Sequence, residues 1–386
     1  MQIVFSDAQY WNKFLPLTYT KPVAELRCGI LTFAERWKKL LNLTEYSYIT
    51  EDYLQAKFPS PKKVESLFIV PNFIPSDALL EQIKCLEIGE ALVYKDELLV
   101  AKVNMLNFSI SQIEKMTDIT EDILMFEKHT DLFSKNAAAI DFDFDLVTKN
   151  RISQPLSKTN GFLGNQNNLF IEEGAIVEYS TLNCNNGKIY IGKNAEIMEN
   201  CSIRGSLALC EGSVLNMGTK IYGPTTIGPV CKIGGEVNNI VVSGYSNKGH
   251  DGFLGNSVIG EWCNLGAGTN SSNLKNNYAE VKLWSYNSKK FEKTGLQFCG
   301  IIMGDHSKTA INIQLNTGTI IGVATNIFKI GFPPNLVEHF SWGGMKGDEK
   351  FNLNKAFEVA EIVMARRKLT LQQEDKDILT YIFDNF

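Results

Sequence analysis

An aliphatic residue returns every six positions through the middle of this chain, and few folds tolerate such a period. Ile191, Ile197, Ile203, Leu209, Leu215, Ile221, Ile227 and Ile233 hold one phase without a break. Ile171 and Val177 begin the pattern before an interruption at 183–188. Phe253, Ile259 and Leu265 resume it, and 301–323 carries a looser version. A helix repeats its apolar residues about every 3.6 positions and a single strand every 2. Period six instead fits a coil of three short strands, about eighteen residues per turn, with one aliphatic side chain per face pointing inward. Small residues and glycines beside the aliphatic position, as in IGKNA, IRGSL, IYGPT and IGPVC, give the chain room to turn at each corner. No single coil buries its own core, so coils must stack about 4.8 Å apart. A β-sandwich with scattered aliphatics would not keep one phase so long.

The flanks follow other rules. Val64–Pro71 (VESLFIVP) reads as a buried strand, Thr32–Leu41 and Ala78–Leu86 as helices, and Ala91–Val103 as two strands around Lys95-Asp96. Asp118–Phe133 has a helical pattern. Strands alternating with helices predict an α/β layer. In SKNAAAIDFDFDL, Asn136, Asp141, Asp143 and Asp145 suggest an alternating acidic strand or a source of carboxylates. Beyond the repeats, Leu353, Ala356, Val359, Ala360, Val363 and Met364 form one apolar helical stripe ending at Arg366-Arg367-Lys368. Ile378, Leu379, Ile382 and Phe383 form a second. Packing helices are the simplest account, with the arginines also available to a cofactor phosphate. The expected domains are therefore 1–155, 156–345 and 346–386.

A chain of 386 residues is long enough for two hydrophobic cores. Its net charge of −5, with no polybasic block, argues against nucleic acid and anionic membranes as partners. No apolar run has the length of a bilayer span, and MQIVFSDAQYWNK lacks the parts of a signal peptide. The eight cysteines are scattered singly with no CxxC, several within apolar repeats, where a reduced cysteine packs as a small hydrophobe. A cytoplasmic, disulfide-free protein is expected, and no metal-ligand cluster is discerned.

The chain has four histidines, and His250 lies in GYSNKGHDGFLGNSVIGEWCNLGAGTNSSN, between two blocks of repeat. A loop leaving a rigid solenoid is a natural place for chemistry, although a lone histidine in a glycine-rich loop is more often structural. The string over 247–269 resembles the acetyltransferase loop of the bifunctional GlmU-type enzymes, K-A-G-H-x-x-[YF]-L-G-x-x-x-I-G-x-x-x-N-x-G-A-G-T, without a gap. That resemblance implies a left-handed parallel β-helix, with His250 as general base and Glu236 as the carboxylate that orients it. It implies Asn264 as an active-site amide, Ala267 with Gly266 and Gly268 as the acetyl-CoA cradle, and Asn273 as a sugar contact. The chemistry is coherent, because a neutral imidazole suits removal of a proton from an attacking amine and a backbone N–H at the Gly266–Gly268 bend suits an oxyanion. Asn238 stands where the family has a phosphate-binding lysine, and Phe253 where it has a tyrosine. Lys232, Lys248, Lys275 and Lys282 are nearby, either as phosphate contacts or as solvated surface lysines. His306 in MGDHSK is a candidate second active-site group, with a structural role the more common outcome for such a residue.

The string PLTYTKPVAELRCGI over 16–30 resembles the sugar-nucleotidyltransferase signature R-x-P-L-T-x-x-x-P-K-P-x-x-x-x-x-G, placing Lys21 on its phosphate-contacting lysine, with Arg27 a second cation. The G-x-G-T-R phosphate loop is replaced by FSDAQYWNKFL, and Asn72 stands where a magnesium-binding aspartate is expected. Taken whole, the chain resembles a divergent GlmU-like branch: a shortened α/β domain of the nucleotidyltransferase (GT-A or Rossmann-like) kind, an all-β left-handed parallel β-helix, and C-terminal helices. The implied function is acetyl transfer from acetyl-CoA to glucosamine 1-phosphate, then transfer from UTP with Mg2+ to give UDP-N-acetylglucosamine, in a homotrimer. Two alternatives stand beside it: an acetyltransferase whose N-terminal half only binds or regulates, and a non-catalytic β-helix scaffold.

Overall fold

A computed structural model describes residues 2–62, 65–104, 111 and 113–386. The chain divides into two compact units, one of residues 1–14, 20–26 and 31–128 and the other of 15–19, 27–30 and 129–386.

The first unit is built on a six-stranded mixed sheet, ordered 46–49, 2–6, 65–69, 97–104, 90–94, 115–118. Glu65–Ile69 is the strand expected from VESLFIVP, whose Val64 lies outside the described residues. Lys95 and Asp96 turn the hairpin with φ of 49° and 65°, the paired left-handed conformation that tight hairpins require. Phe33–Leu41 is a helix opened by a capping box, Thr32 accepting from the Glu35 amide and the Glu35 side chain accepting from the Thr32 amide.

The helix expected over 118–133 is not formed. Lys115–Asp118 is a strand beside Glu90–Tyr94, Leu124–Met125 pairs with Phe73–Ile74, and only Asp131–Ser134 is helical. Backbone pairing to neighbouring strands overrides a local apolar rhythm. The acidic strand is also corrected: Asn136–Thr148 is a helix burying Asn136, Ala139, Ile140, Asp143, Phe144 and Val147, a helical period that the acid alternation conceals.

The second unit is a parallel β-solenoid with two C-terminal helices, Leu353–Ala365 and Gln373–Asn385. One face is a sheet of nine parallel strands, each from a successive coil. Ile189, Leu207 and Thr225 pair in register eighteen residues apart, the predicted coil length. All eight unbroken hexad aliphatics are at most 1% exposed, and Ile171, Val177, Ile259 and Leu265 join them. The frame slips at Phe253, which faces partly outward in register with Glu236 while Leu254 points inward over Val237.

Corners depart from the small-residue expectation. One corner passes through left-handed backbone at Asn194, Gly212, Val230, Tyr245, Trp262 and His306, with φ between 54° and 64°. Valine and tryptophan adopt this region at a cost. Each such corner donates its amide to the coil below, as Tyr245 N–H does to the Pro229 carbonyl and His306 N–H to that of Glu261. The stacked coil therefore imposes the turn on whatever residue stands there.

All eight cysteines are free, and every one but Cys85 is buried. Among the described residues no helix is long and apolar enough to cross a membrane.

Candidate active site

The histidine turn, residues 249–252, joins the short strand Asn247–Lys248 to the long strand Phe253–Glu261. Gly234 and Gly235 form its floor. A Cβ on Gly234 would lie 2.5 Å from the Gly249 carbonyl oxygen and 3.2 Å from the His250 amide nitrogen. Asn216 Nδ2 donates to the Gly249 carbonyl at 2.6 Å, and Lys248 Nζ to the His250 carbonyl at 2.8 Å. The backbone of the turn is thus fastened, while the His250 ring is exposed and has no hydrogen-bond partner among the described residues.

This ring opens onto a cavity of about 630 Å³ that Asn264, Gly266 and Ala267 also line. Within the 266–268 bend, the Gly266 amide donates to Thr309 and the Gly268 amide to the Asp251 carbonyl. Among the described residues the Ala267 N–H has no acceptor, so it is the amide of this bend left for a ligand. Tyr245 and Trp262 form one wall, stacked at 4.3 Å and 7°, and the His306 ring lies over Trp262 at 6.3 Å. The first C-terminal helix closes the far side, as Ala360 and Met364 pack on Trp262 and bring Val363, Arg366 and Arg367 to the cavity. Lys232 and Lys308 add two further cations. Arg367 leans on Asn247 at 3.4 Å, and among the described residues its buried Nε–H has no acceptor.

Other expected residues lie elsewhere. Glu236 accepts from the Tyr222 hydroxyl at 2.6 Å, and among the described residues it makes no bond to His250. Asn273 donates to Asn256 Oδ1 at 2.8 Å, outside the cavity lining. Gly268 sits behind the bend with φ of 71°, where a Cβ would strike Asn312. Arg27 is buried, its Nε donating to the Ser243 carbonyl at 3.2 Å and its guanidinium also to the Ile30 carbonyl. Gly29 and Ile30 donate to Asn136 and Asp143, so Arg27, Asn136 and Asp143 all serve to hold this segment. Asp141 and Asp145 pair with Lys188. Lys248, expected outside, is 2% exposed. Lys275 donates to the Glu280 carbonyl, and Lys282 lines a separate polar cleft.

In the first unit, Lys21 is buried. Asn72 is fully buried and donates through Nδ2 to the Phe126 carbonyl at 2.6 Å. A carboxylate has no proton for that bond. Among the described residues no three His, Cys, Asp or Glu side chains come together to hold a metal. The residues present do not fit magnesium at the expected place.

Asp7, just after the first strand, accepts from Val23 N–H and Thr50 Oγ1. Burial pushes its carboxyl up to about 7, the two hydrogen bonds opposing the rise. The folded state therefore keeps a proton that the unfolded chain releases above about pH 4, and stability falls as pH climbs from there through about 7. Asp7→Asn is expected to stabilise this unit by about 2–4 kcal/mol at pH 8 and little at pH 4. Denaturant unfolding of both chains at the two pH values checks this; equal differences would reject it.

Residues 2–152 match the sugar nucleotidyl transferase family model. A bifunctional sugar-1-phosphate nucleotidylyltransferase/acetyltransferase of Sulfurisphaera tokodaii is 32% identical over 144 residues, 37% of this chain and 35% of that protein. The bifunctional protein GlmU of Buchnera aphidicola is 26% identical over 322 residues, 78% of this chain and 65% of that one. The chain is similar, at 26–33% identity, to these bifunctional proteins. The GlmU of Methanocaldococcus jannaschii adds 33% identity over 87 residues, 22% of this chain and 21% of its own. This GlmU-like chain thus spans less than two-thirds of the length of each of these relatives. A Bacillus cereus structure described as that of an acetyltransferase aligns at 12% identity and a TM-score of 0.24 over 59% of this chain and 100% of its own, too faint a likeness to bear on fold or function.

Several site residues lie inside the quoted strings but carry no role that the sequence assigns. Tyr245, Trp262 and Lys308 occupy coil positions whose outward face is set only by stacking. Arg366 and Arg367 carried a weak signal, a basic cluster ending an apolar stripe.

Proposed function

We propose that the solenoid unit transfers an acetyl group from acetyl-CoA to the amine of an amino-sugar 1-phosphate, with glucosamine 1-phosphate as the acceptor the relatives suggest. One observation carries this reading: an exposed imidazole and a backbone N–H, neither with a hydrogen-bond partner among the described residues, meet in one cavity lined by four cationic side chains. Acetyl-CoA, when bound, supplies the thioester carbonyl. His250 takes the proton that the amine loses as it attacks, and returns it to the departing thiol. The Ala267 N–H meets the negative charge that develops on oxygen, and Asn264 offers an amide beside it. Arg366, Arg367, Lys232 and Lys308 suit phosphate groups, Arg367 having an unspent Nε–H. Glu236 acts on His250 only if binding brings the two together. Asn273 would face the sugar from outside the present lining.

The family match over residues 2–152 supports a second activity, nucleotidyl transfer from UTP to the acetylated sugar 1-phosphate with Lys21 as a phosphate contact, yielding UDP-N-acetylglucosamine. Asn72 is already committed to Phe126, so no step through magnesium is derived. A cytoplasmic homotrimer accompanies this reading, since closed cyclic assembly suits flat solenoid faces.

A panel of amino-sugar phosphates with acetyl-CoA, followed by thiol release, tests the first activity; silence with every amine rejects it. Pyrophosphate release from UTP, Mg2+ and sugar 1-phosphate tests the second, and its absence leaves an acetyltransferase alone.

A further inference from the structure

We propose that Lys248 is a positioning residue for His250, its ammonium lying inside the solenoid and tying the histidine turn to the coil below. The inference rests on the acetyl-transfer reading for its functional consequence, but its geometric content does not.

Lys248 occupies an interior place. Along its face the inward residues of successive coils are Val177, Ile197, Leu215 and Ile233, and Lys248 pairs in register with Ile233. Leu265 follows in the next coil. An ammonium among such neighbours costs free energy unless its N–H groups are satisfied. Two of them are: Nζ donates to the Gly234 carbonyl at 3.0 Å and to the His250 carbonyl at 2.8 Å. One acceptor belongs to the glycine pair under the turn and the other to the histidine itself. GlmU-type loops of the form given above carry alanine at this place, so the contact is a feature of this chain.

The His250 ring has no hydrogen bond of its own among the described residues, so its direction is inherited from its backbone. Lys248 and Asn216 are the side chains that grip that backbone, through adjacent carbonyls. Burial lowers the Lys248 ammonium to about 8, opposed by Asp251 on the same turn. The coil below presents Ile233 and Gly234 to it and the coil above Leu265, all uncharged, while Lys232, Glu236 and Asn264 point outward or lie partly exposed. Near neutrality the ammonium is charged and its grip on the two carbonyls is charge-assisted; that grip weakens as the proton leaves.

The test uses the full chain with Lys248→Met, which keeps an unbranched apolar stem, and Lys248→Ala. His250 is one of four histidines, so its ring resonances can be assigned with His250→Ala. The expected result is that Lys248→Met shifts the His250 ring resonances and leaves those of His129, His306 and His339 in place. In acetyl transfer, kcat should fall about ten- to a hundredfold while acetyl-CoA binding stays within about threefold. In the unaltered chain the His250 resonances should also show a step at about pH 8, where Lys248 loses its proton. A folded variant with an unmoved His250 spectrum and unchanged kcat overturns the proposal, and so does the absence of that step if neither variant folds. If no amine is acetylated by the unaltered chain, the functional reading fails, and the spectra alone still decide whether Lys248 positions His250.

Discussion

His250→Ala is expected to reduce acetyl transfer about 10²–10⁴-fold, the usual contribution of a positioned general base. The side chain is exposed and makes no hydrogen bond among the described residues, so its removal should change stability by no more than about 0.5 kcal/mol. Acetyl-CoA binding should be nearly unaffected, since the Ala267 amide and the four cations stay in place. The discriminating measurement is kcat beside the dissociation constant of acetyl-CoA, both with a chain whose unfolding midpoint is unchanged. A variant that retained its turnover would remove the base from the mechanism. That result would return the solenoid to the status of a binding scaffold.

The second large effect is expected at the floor of the turn. Gly234→Ala places a Cβ against the Gly249 carbonyl carbon and oxygen, at 2.8 and 2.5 Å, and near the His250 amide. All three contacts are backbone, so no flexible side chain can swing away. The turn must move by several tenths of an ångström, or the coil must open. Displacement of a catalytic group by about 1 Å typically costs about a hundredfold in rate, and overpacking a tight contact costs about 1–3 kcal/mol. Gly234→Ala is therefore expected to lower kcat toward that of His250→Ala while also lowering the unfolding midpoint, whereas His250→Ala lowers kcat alone. Steady-state kinetics and thermal unfolding of the two variants side by side separate the cases. Unchanged kcat in a folded Gly234→Ala chain would show that the turn has slack the contacts do not suggest.

These two positions differ in how plainly the sequence announces them. The GGEVNN string and the GHDGFLG string are each visible, but their meeting is a product of stacking: Gly234 lies one coil below Gly249. Lys248 illustrates the limit more sharply. In a list of residues it is one more lysine in a polar loop, and the hexad frame does not reach it, because the coil from Lys232 to Asn247 is fifteen residues long instead of eighteen. Only the register with Ile233 turns it inward. Arg27 shows the reverse: a cation in a phosphate-binding motif that is buried, with Nε and Nη1 donating to the carbonyls of Ser243 and Ile30. Glu236 stands at the expected distance along the chain from His250, yet its carboxylate meets Tyr222.

What the sequence determined by itself was the repeat and what the repeat demands. Eight aliphatics in one phase leave a stacked three-sided coil as the economical way to bury them, and all eight are buried. The GHxxFLG and NxGAGT strings singled out His250, Asn264 and Ala267, which line one cavity. The tertiary structure alone decided which amide of the bend stays open, which lysine turns inward and which helix brings Arg366 and Arg367 to the rim. It also overrode the helical rhythm of 118–133 and the acidic alternation of 136–148. The reason is common to all of these. Local pattern records which side chains prefer burial, whereas the partner of a backbone amide or an ammonium is fixed only when a distant coil arrives beside it.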